Sequence, residues 1–273
     1  MNQQNFLLLG LLLGIIGYIM LHLGKGIQKF AIEQFKSDDK FKIKSKNSGT
    51  WLLGTSFTVI FFILNWIALL FAPVNLIAPL DGLGLIVFFV FSYFVLKEKI
   101  KRFEILGIFL IIIGTIFVTL FNSNPSEIKS KNLNLFFLFI LFILIIIVQI
   151  ILILYSKLNN YKGSGVIFGI AAGTFMAFST ICKRITAIPD VIIKITFIII
   201  VLIFGLMQGI LSNIGYTKAR ANVVVPSFTS SSIIIAVLIG YLCLNERIVF
   251  IQVFGIIQII CGIILLTAFK RSK

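Results

Sequence analysis

Hydrophobic residues along this chain fall into nine long runs that are separated by short polar stretches. Each run has roughly 17 to 23 residues, the length at which an α-helix crosses a hydrocarbon layer about 30 Å thick. The runs lack the alternating polarity of membrane β-strands, so we predict an all-α polytopic membrane protein. The nine predicted transmembrane helices cover residues 6–23, 51–71, 74–96, 103–121, 133–155, 166–182, 191–213, 222–244 and 248–269.

One polar pattern occurs twice. An Asn and a Pro open a hydrophobic helix, a turn containing Glu follows, and the next helix carries two glycines seven residues apart. The two copies are 147 residues apart up to the prolines and 148 residues apart beyond them. The matched pairs are Asn75 and Asn222, Pro79 and Pro226, Glu98 and Glu246, Gly107 and Gly255, and Gly114 and Gly262. Such residues rarely stay in step by chance, which indicates an internal repeat.

The repeat extends to four helices in each half of the chain. The first and sixth helices share a GxxxG spacing, which starts at Gly10 and at Gly165, and we interpret it as close helix packing. Corresponding helices are five crossings apart, and an odd number of crossings reverses direction. We therefore predict an inverted repeat, the architecture of alternating-access transporters. The first half covers residues 1–122, a connector with the fifth helix covers 123–162, and the second half covers 163–273.

Composition and charge fit this interpretation. Of the 273 residues, 59% are hydrophobic and only 12% are charged, which excludes an ordinary soluble domain. The net charge of +15 is spread over short loops, so we predict no nucleic-acid partner. Three quarters of the 24 Lys and Arg residues lie on the face that holds the C-terminus. The positive-inside rule then predicts a cell-membrane protein with its N-terminus outside and its C-terminus in the cytoplasm.

The polar stretch from Lys25 to Thr50 is the longest predicted loop. We expect it to be a solvated linker that touches the anionic lipid of the cytoplasmic leaflet. His22, just before it, is predicted to be an interfacial or packed histidine rather than a proton relay. The sequence has no HExxH motif, no paired intramembrane Asp and no His cluster. We therefore predict no catalytic residues, no enzyme activity and no cofactor.

Asp81 is the one carboxylate clearly inside an apolar run, about 10 Å along the third predicted helix. It has two interpretations. As a tentative metal ligand it would attract a cation, since Mg²⁺ binds through one or two carboxylates and keeps several waters. Alternatively, Pro79 interrupts the helix and Asp81 caps the restarted portion by accepting from free backbone amides.

Other polar residues complete the candidate path. The matched prolines can break their helices and free carbonyls near the midplane, or act as simple kinks. The hydroxyl cluster after Pro226 can line a path or bond back to its own helix. The side-chain amides of Asn65, Gln149, Gln208 and Asn213 are predicted to form hydrogen bonds between helices. Asn65 and Asn213 lie on helices that correspond in the repeat. Glu98 and Glu246 are predicted to fix their turns, by pairing with Lys99 or Arg247 or by capping the next helix. The path candidates besides Asp81 are Asn75, Pro79, Asn222, Pro226, Thr229, Asn65 and Asn213.

Several local motifs resemble the drug/metabolite transporter superfamily, which includes the EamA-like transporters, and in particular its NIPA branch of magnesium transporters. The motifs are Gln28-Lys29, Phe71-Ala72-Pro73, Pro79-Leu80, Leu96-Lys97-Glu98-Lys99, and Leu106-Gly107 with Gly114. The resemblance implies transport, with Mg²⁺ as the cargo of NIPA-like relatives and small organic metabolites as the cargo of the broader superfamily. Such relatives usually have Gly where this chain has Asp81, so the resemblance implies no role for that residue.

Three functional hypotheses remain open from the sequence. The first is a transporter of Mg²⁺ or another divalent cation, and the second is a transporter of a small organic metabolite. The third is a structural membrane subunit without transport, for which the paired Asn and Pro residues would have no evident use. The expected partners are the transported molecule and the lipid bilayer, and the sequence also allows a homodimer.

Overall fold

The computed structural model describes residues 3–37, 41–98, 102–120, 134–246 and 248–268. The described residues form helices joined by short turns and contain no strand. The α-helices are α1 (Gln3–Ser37), α2 (Phe41–Phe71), α3 (Val74–Ile77), α4 (Asp81–Phe91), α5 (Arg102–Leu120), α6 (Leu135–Leu158), α7 (Ser164–Ile185), α8 (Val191–Lys218), α9 (Ala221–Leu244) and α10 (Phe250–Ala268).

Seven stretches in these helices are long and apolar enough to cross a membrane. One of them, Val74–Leu96, combines α3 and α4. Two shorter apolar helices, Ile105–Val118 and Phe250–Gly262, lie within α5 and α10. The all-α membrane architecture predicted from the sequence is confirmed, whereas the count of nine crossings stays a prediction.

The described part of the predicted linker between Lys25 and Thr50 is helical. Helix α1 continues to Ser37, α2 begins at Phe41, and residues 38–40 lie outside the described residues. Lys25 and Lys29 are only 2% and 4% exposed. The linker prediction was therefore wrong, because these lysines pack into the protein interior and not against solvent. Contact with anionic lipid stays a prediction.

The two matched prolines have different effects on their helices. Pro79 lies in a 3₁₀ turn, Ala78–Leu80, which separates α3 from α4. A π-helical turn, Ser92–Leu96, then ends this span. In contrast, α9 runs without interruption through Pro226. The predicted break is therefore present only in the first half. At Pro226 the missing N–H removes one backbone hydrogen bond without breaking the helix.

Small residues bring helices into close contact. A Cβ atom at Gly114 in α5 would lie 2.5 Å from the carbonyl oxygen of Gly255 in α10, and one at Gly262 would lie 2.6 Å from that of Gly107. Gly169 of the second GxxxG faces the α9 backbone in the same way. These glycines allow backbones to approach, as predicted for the GxxxG spacings.

Three spans occupy the centre of the protein. They are Val74–Leu96, Ser164–Ile185 and Ala221–Leu244. More than 70% of the residues in the most apolar stretch of each span are buried. The corresponding fraction is only 17% for α6 and for α8. The central spans therefore hold the side chains that can act away from lipid, while α6 and α8 present apolar side chains to the surroundings.

Candidate functional site

Asp81 lies at the centre of a buried polar cluster that joins three helices. It is the first residue of α4, and its side chain is fully buried. One carboxylate oxygen lies 2.8 Å from Nε2 of His22 in α1, and the other accepts from Oγ of Ser232 in α9 at 2.5 Å. The interpretation of Asp81 as a helix cap is wrong, because Leu80 holds the cap position and α4 has no side-chain cap.

Lys25 adds a positive charge to this cluster. Its side chain is 2% exposed, and Nζ lies 2.8 Å from the centre of the Phe228 ring. Nζ has no hydrogen-bond partner among the described residues, and its charge interacts with the Asp81 carboxylate. The aromatic face provides part of the stabilisation that water would otherwise give an ammonium group. The cluster therefore contains a carboxylate together with its own counter-charge.

The hydroxyl groups after Pro226 divide into two kinds. Ser231 and Ser232 donate to carbonyl oxygens one turn earlier in α9, at 3.0 and 2.9 Å, which is the predicted back-bonding. Thr229 and Ser230 are fully buried, and their hydroxyl oxygens have no hydrogen-bond partner within the described part of the chain. Thr229 therefore offers a free oxygen close to the cluster, since the Ser232 hydroxyl shares its one proton between Asp81 and the Thr229 carbonyl.

The other predicted amides form hydrogen bonds between helices. Asn65 in α2 accepts from Nζ of Lys183 in α7 at 3.1 Å. Asn213 in α8 accepts from the Trp51 indole of α2 at 3.2 Å. The interhelical role is confirmed for both. Asn213 lies in a groove of about 560 Å³ between α1, α2 and α8, away from the Asp81 cluster.

Glu98 and Glu246 contact the opposite half of the chain. The Glu98 carboxylate accepts from the backbone amides of Ala221 and Asn222, both at 3.1 Å, at the start of α9. The Glu246 carboxylate accepts from the amides of Val74 and Asn75, both at 2.9 Å, at the start of α3. The prediction that each Glu caps its own next helix is wrong, and its alternative pairings with Lys99 and Arg247 lie outside the described residues.

Matching turns place both carboxylates. Lys97 and Asn245 have positive φ angles of 53° and 55°, the left-handed conformation that ends many helices. The following amides, of Glu98 and Glu246, donate back to the carbonyls of Ser92 and Gly240 respectively. These positions correspond at the shift of 148 residues. Each turn reverses the chain and directs its Glu toward the other half.

Two basic residues complete these contacts. Lys29 in α1 donates to the carbonyls of Tyr216 and Ala219 at the end of α8, at 3.1 and 3.0 Å. Arg184 in α7 donates to the carbonyl of Leu69 at the end of α2, at 2.8 Å. A cation is favourable at a helix C-terminus and a carboxylate at a helix N-terminus.

Each helix junction is therefore bound at both sides. The junction between α8 and α9 contacts Lys29 and Glu98, and the junction between α2 and α3 contacts Arg184 and Glu246. Burial raises the pKa of the Glu246 carboxyl, and this rise is opposed by the amides that bind it and by Arg184. The Asn222 side chain accepts from Ser92 at 2.7 Å, and the Asn75 amide binds Glu246, so both matched asparagines lie at the junctions.

The cluster offers limited ligands to a cation. The described residues contain no group of three or more His, Cys, Asp or Glu side chains that could hold a metal ion. Asp81 is the acidic group at the cluster, and the nearby hydroxyls and carbonyls are neutral oxygens. A bound Mg²⁺ would thus keep most of its waters, as this ion usually does.

The burial of four basic residues was not predicted. Lys25 and Lys29 were assigned to the solvated linker and no position was predicted for Lys183 or Arg184, yet all four are at most 7% exposed. Their spacing gave a usable signal, because Lys29 and Arg184 correspond at the shift of 155 residues that relates the GxxxG motifs. The prediction of a packed histidine is confirmed for His22, which is fully buried, whereas its contact with Asp81 was not predicted.

The buried charges and the apolar outer helices together define a polytopic α-helical membrane protein with a polar centre. The family model of the magnesium transporter NIPA matches residues 5–272, which is nearly the whole chain. The chain belongs to the NIPA magnesium transporter family.

Individual relatives align over shorter stretches. The chain is 34% identical to the probable magnesium transporter NIPA1 of Arabidopsis thaliana over 80 residues, which are 29% of this chain and 24% of the relative. It is 41% identical to the probable magnesium transporter NIPA9 of the same plant over 66 residues, 24% of this chain and 19% of the relative. NIPA-like protein 2 of Mus musculus is 29% identical over 126 residues, 46% and 33% respectively. The chain thus aligns with a third or less of these relatives' lengths. No solved structure matches it.

Proposed function

We propose that this protein transports Mg²⁺ or another divalent cation through a path between two inverted halves. The observation that supports the proposal is the contact of the Asp81 carboxylate with His22 of α1 and Ser232 of α9, because these residues come from the two proposed halves. A carboxylate within a membrane costs free energy, and such residues commonly mark the path of an ion or a substrate. Membership of a magnesium transporter family supports the choice of cargo.

The reciprocal contacts support the inverted arrangement. Residues that correspond in the two halves bind the junction of the other half, as a two-fold relation between them requires. The glycine contacts follow the same relation, with Gly114 against Gly255 and Gly107 against Gly262. The proposal also includes nine crossings, with the N-terminus outside and the C-terminus in the cytoplasm of the cell membrane.

The path begins from a charge-balanced state. With Lys25 beside it, Asp81 attracts a dication less than an isolated carboxylate would. The ammonium group therefore moves away from the carboxylate when the cation arrives, and Thr229 and backbone carbonyls supply neutral oxygens. An inside-negative potential drives a dication inward by about 4.6 kcal/mol per 100 mV, twice the value for one charge.

A second cargo class is favoured by one observation. The buried Nζ groups of Lys25 and Lys183 are hydrogen-bond donors in the interior, which suits a small organic metabolite that carries a negative group. This is the transport alternative that the broader superfamily resemblance implies. The two cargo classes differ in a simple prediction: only the first requires that uptake depend on a divalent cation.

The test is uptake of Mg²⁺ into proteoliposomes under an inside-negative potential. We expect saturable uptake by the natural protein and a loss of at least tenfold in Asp81→Asn. Asp190→Asn is the matched control, because Asp190 caps its own helix α8 at the surface and should leave uptake unchanged. Absence of Mg²⁺ uptake by the folded natural protein would reject the cation proposal. Uptake of a small organic anion that needs no divalent cation would support the second cargo class.

A further inference from the structure

The two helix junctions that bind residues of the opposite half lie at opposite ends of the central helices. Gly10 of α1 packs against Ala68 and Ala72, at the junction of α2 and α3, whereas Lys29 of the same helix binds the junction of α8 and α9. Gly10 and Lys29 are nineteen residues apart, which is about 28 Å along a helix.

Helix α7 spans the same two junctions in the opposite direction. Gly165 packs against Ala219 and Val223, at the junction of α8 and α9, and Arg184 binds the junction of α2 and α3. This separation is also about 28 Å, close to the thickness of the hydrocarbon layer. We call the two ends the Lys29 face and the Arg184 face.

The Asp81 cluster lies between these faces. His22 precedes Lys29 by seven residues and follows Gly10 by twelve, so the cluster is about 10 Å from one face and about 18 Å from the other along α1. Glu98 and Glu246 are buried at their junctions, at only 9% and 1% exposure. In the proposed transport path, a solute reaches Asp81 by passing one of these two ends.

We propose that Glu98 and Glu246 are the gate residues of the transporter, each closing one face by binding the helix start of the opposite half. Opening the Lys29 face requires Glu98 to leave the amides of Ala221 and Asn222. Opening the Arg184 face requires Glu246 to leave those of Val74 and Asn75. Lys29 and Arg184 hold the adjoining helix ends, so each gate consists of one carboxylate and one cation. This inference deepens the transport proposal and rests on it.

The carboxylates are suited to a reversible gate. Each forms two charge-assisted hydrogen bonds to backbone amides, which are stronger than neutral hydrogen bonds. None of these four bonds joins residues within one half, so breaking them releases a helix start from the opposite half without unfolding a helix. Asp190 provides a contrast, because its carboxylate accepts from Ile193 within its own helix and crosses no boundary between halves.

The experiment measures opening of each face separately. Val225 and Ala78 correspond at the shift of 147 residues, and each follows its junction by four residues. Both are buried, at 0% and 3% exposure. In a chain whose native cysteines are replaced, Val225→Cys and Ala78→Cys report access from the two faces to a membrane-impermeant maleimide, applied to vesicles of either orientation.

We expect Glu98→Ala to raise labelling of Val225→Cys by about tenfold from the Lys29 face, and to leave Ala78→Cys unchanged. Glu246→Ala should do the reverse from the Arg184 face. Asp190→Ala should change neither rate. If an alanine variant does not fold, Glu98→Gln and Glu246→Gln keep the side-chain shape and should give the same pattern with a smaller increase.

Unchanged labelling in the glutamate variants, or an equal increase at both reporters, would overturn the gate assignment. The measurement needs no cargo, so it is independent of the proposed transport. Side-specific labelling without Mg²⁺ uptake would retain the gates and reject the cation, whereas Mg²⁺ uptake without side-specific labelling would reject the gates alone.

Discussion

The contact between α5 and α10 predicts that one added methyl group will force two helices apart. In Gly114→Ala the new Cβ would lie 2.5 Å from the carbonyl oxygen of Gly255 and 2.8 Å from the side chain of Ile259. Ordinary van der Waals contact begins at 3.4 Å. The nearest obstacle is backbone and cannot rotate away, so the helices must separate locally by close to 1 Å.

The size of the effect follows from two opposing contributions. Overpacking of a tight contact costs about 1–3 kcal/mol. Replacing Gly by Ala inside a helix returns about 0.8–1 kcal/mol of helix propensity. We therefore expect Gly114→Ala to lower the free energy of unfolding by up to about 2 kcal/mol, and by about 1–3 kcal/mol relative to a Gly→Ala change that meets no obstacle. Gly209→Ala in α8 is the matched control, because its Cβ would meet no atom within 4 Å. It should be neutral or stabilising.

The assay is reversible unfolding of the purified variants in mixed micelles, followed by circular dichroism and by intrinsic fluorescence. The double variant Gly114→Ala with Gly255→Ala should lose less unfolding free energy than the two single variants lose together. Helices that the first methyl group has already separated can accept the second. If Gly114→Ala unfolds with the same free energy as Gly209→Ala, the two helices do not touch through their glycines and the packing argument fails.

Two further variants test the Asp81 cluster with the same unfolding assay. Ser232→Ala leaves one Asp81 oxygen without its donor and should lower the free energy of unfolding by about 1–3 kcal/mol. Ser56→Ala, at an exposed hydroxyl, is the control and should lower it little. Equal effects of the two variants would contradict the cluster. In Gly84→Ala the new Cβ would lie 2.2 Å from the His22 ring, so the ring must shift. We expect the free energy of unfolding to fall by about 1–3 kcal/mol. An unchanged free energy of unfolding would refute this close approach.

The sequence predicted the helical membrane architecture because hydrophobic length alone decides it. It also located Asp81 and the interruption at Pro79, since a charge or a proline inside an apolar run is visible in one dimension. It did not predict the depth of Lys25 or Lys29. Hydropathy scores a lysine as polar, whereas burial here depends on an aromatic ring and on helix-end carbonyls contributed by distant segments.

The partners of Glu98 and Glu246 could not be read from neighbouring residues. Each carboxylate binds amides more than a hundred residues away, so a local capping rule pointed to the wrong helix. The repeat itself contained the missing information. Residues kept in step across two inverted halves are candidates for contacts with each other's half, and this criterion also selects Lys29 and Arg184.

The difference between the two matched prolines gives the halves different mechanics. The 3₁₀ turn at Ala78–Leu80 is a joint, so the four residues of α3 can tilt at the Arg184 face while α4 stays in place. Helix α9 has no such joint and transmits movement along all 24 residues from Ala221 to Leu244. For the proposed transport cycle, we therefore predict that movement at the Arg184 face is local, whereas movement at the Lys29 face displaces the whole of α9 and the helices packed on it. This difference predicts unequal barriers, with opening at the Lys29 face as the slower step.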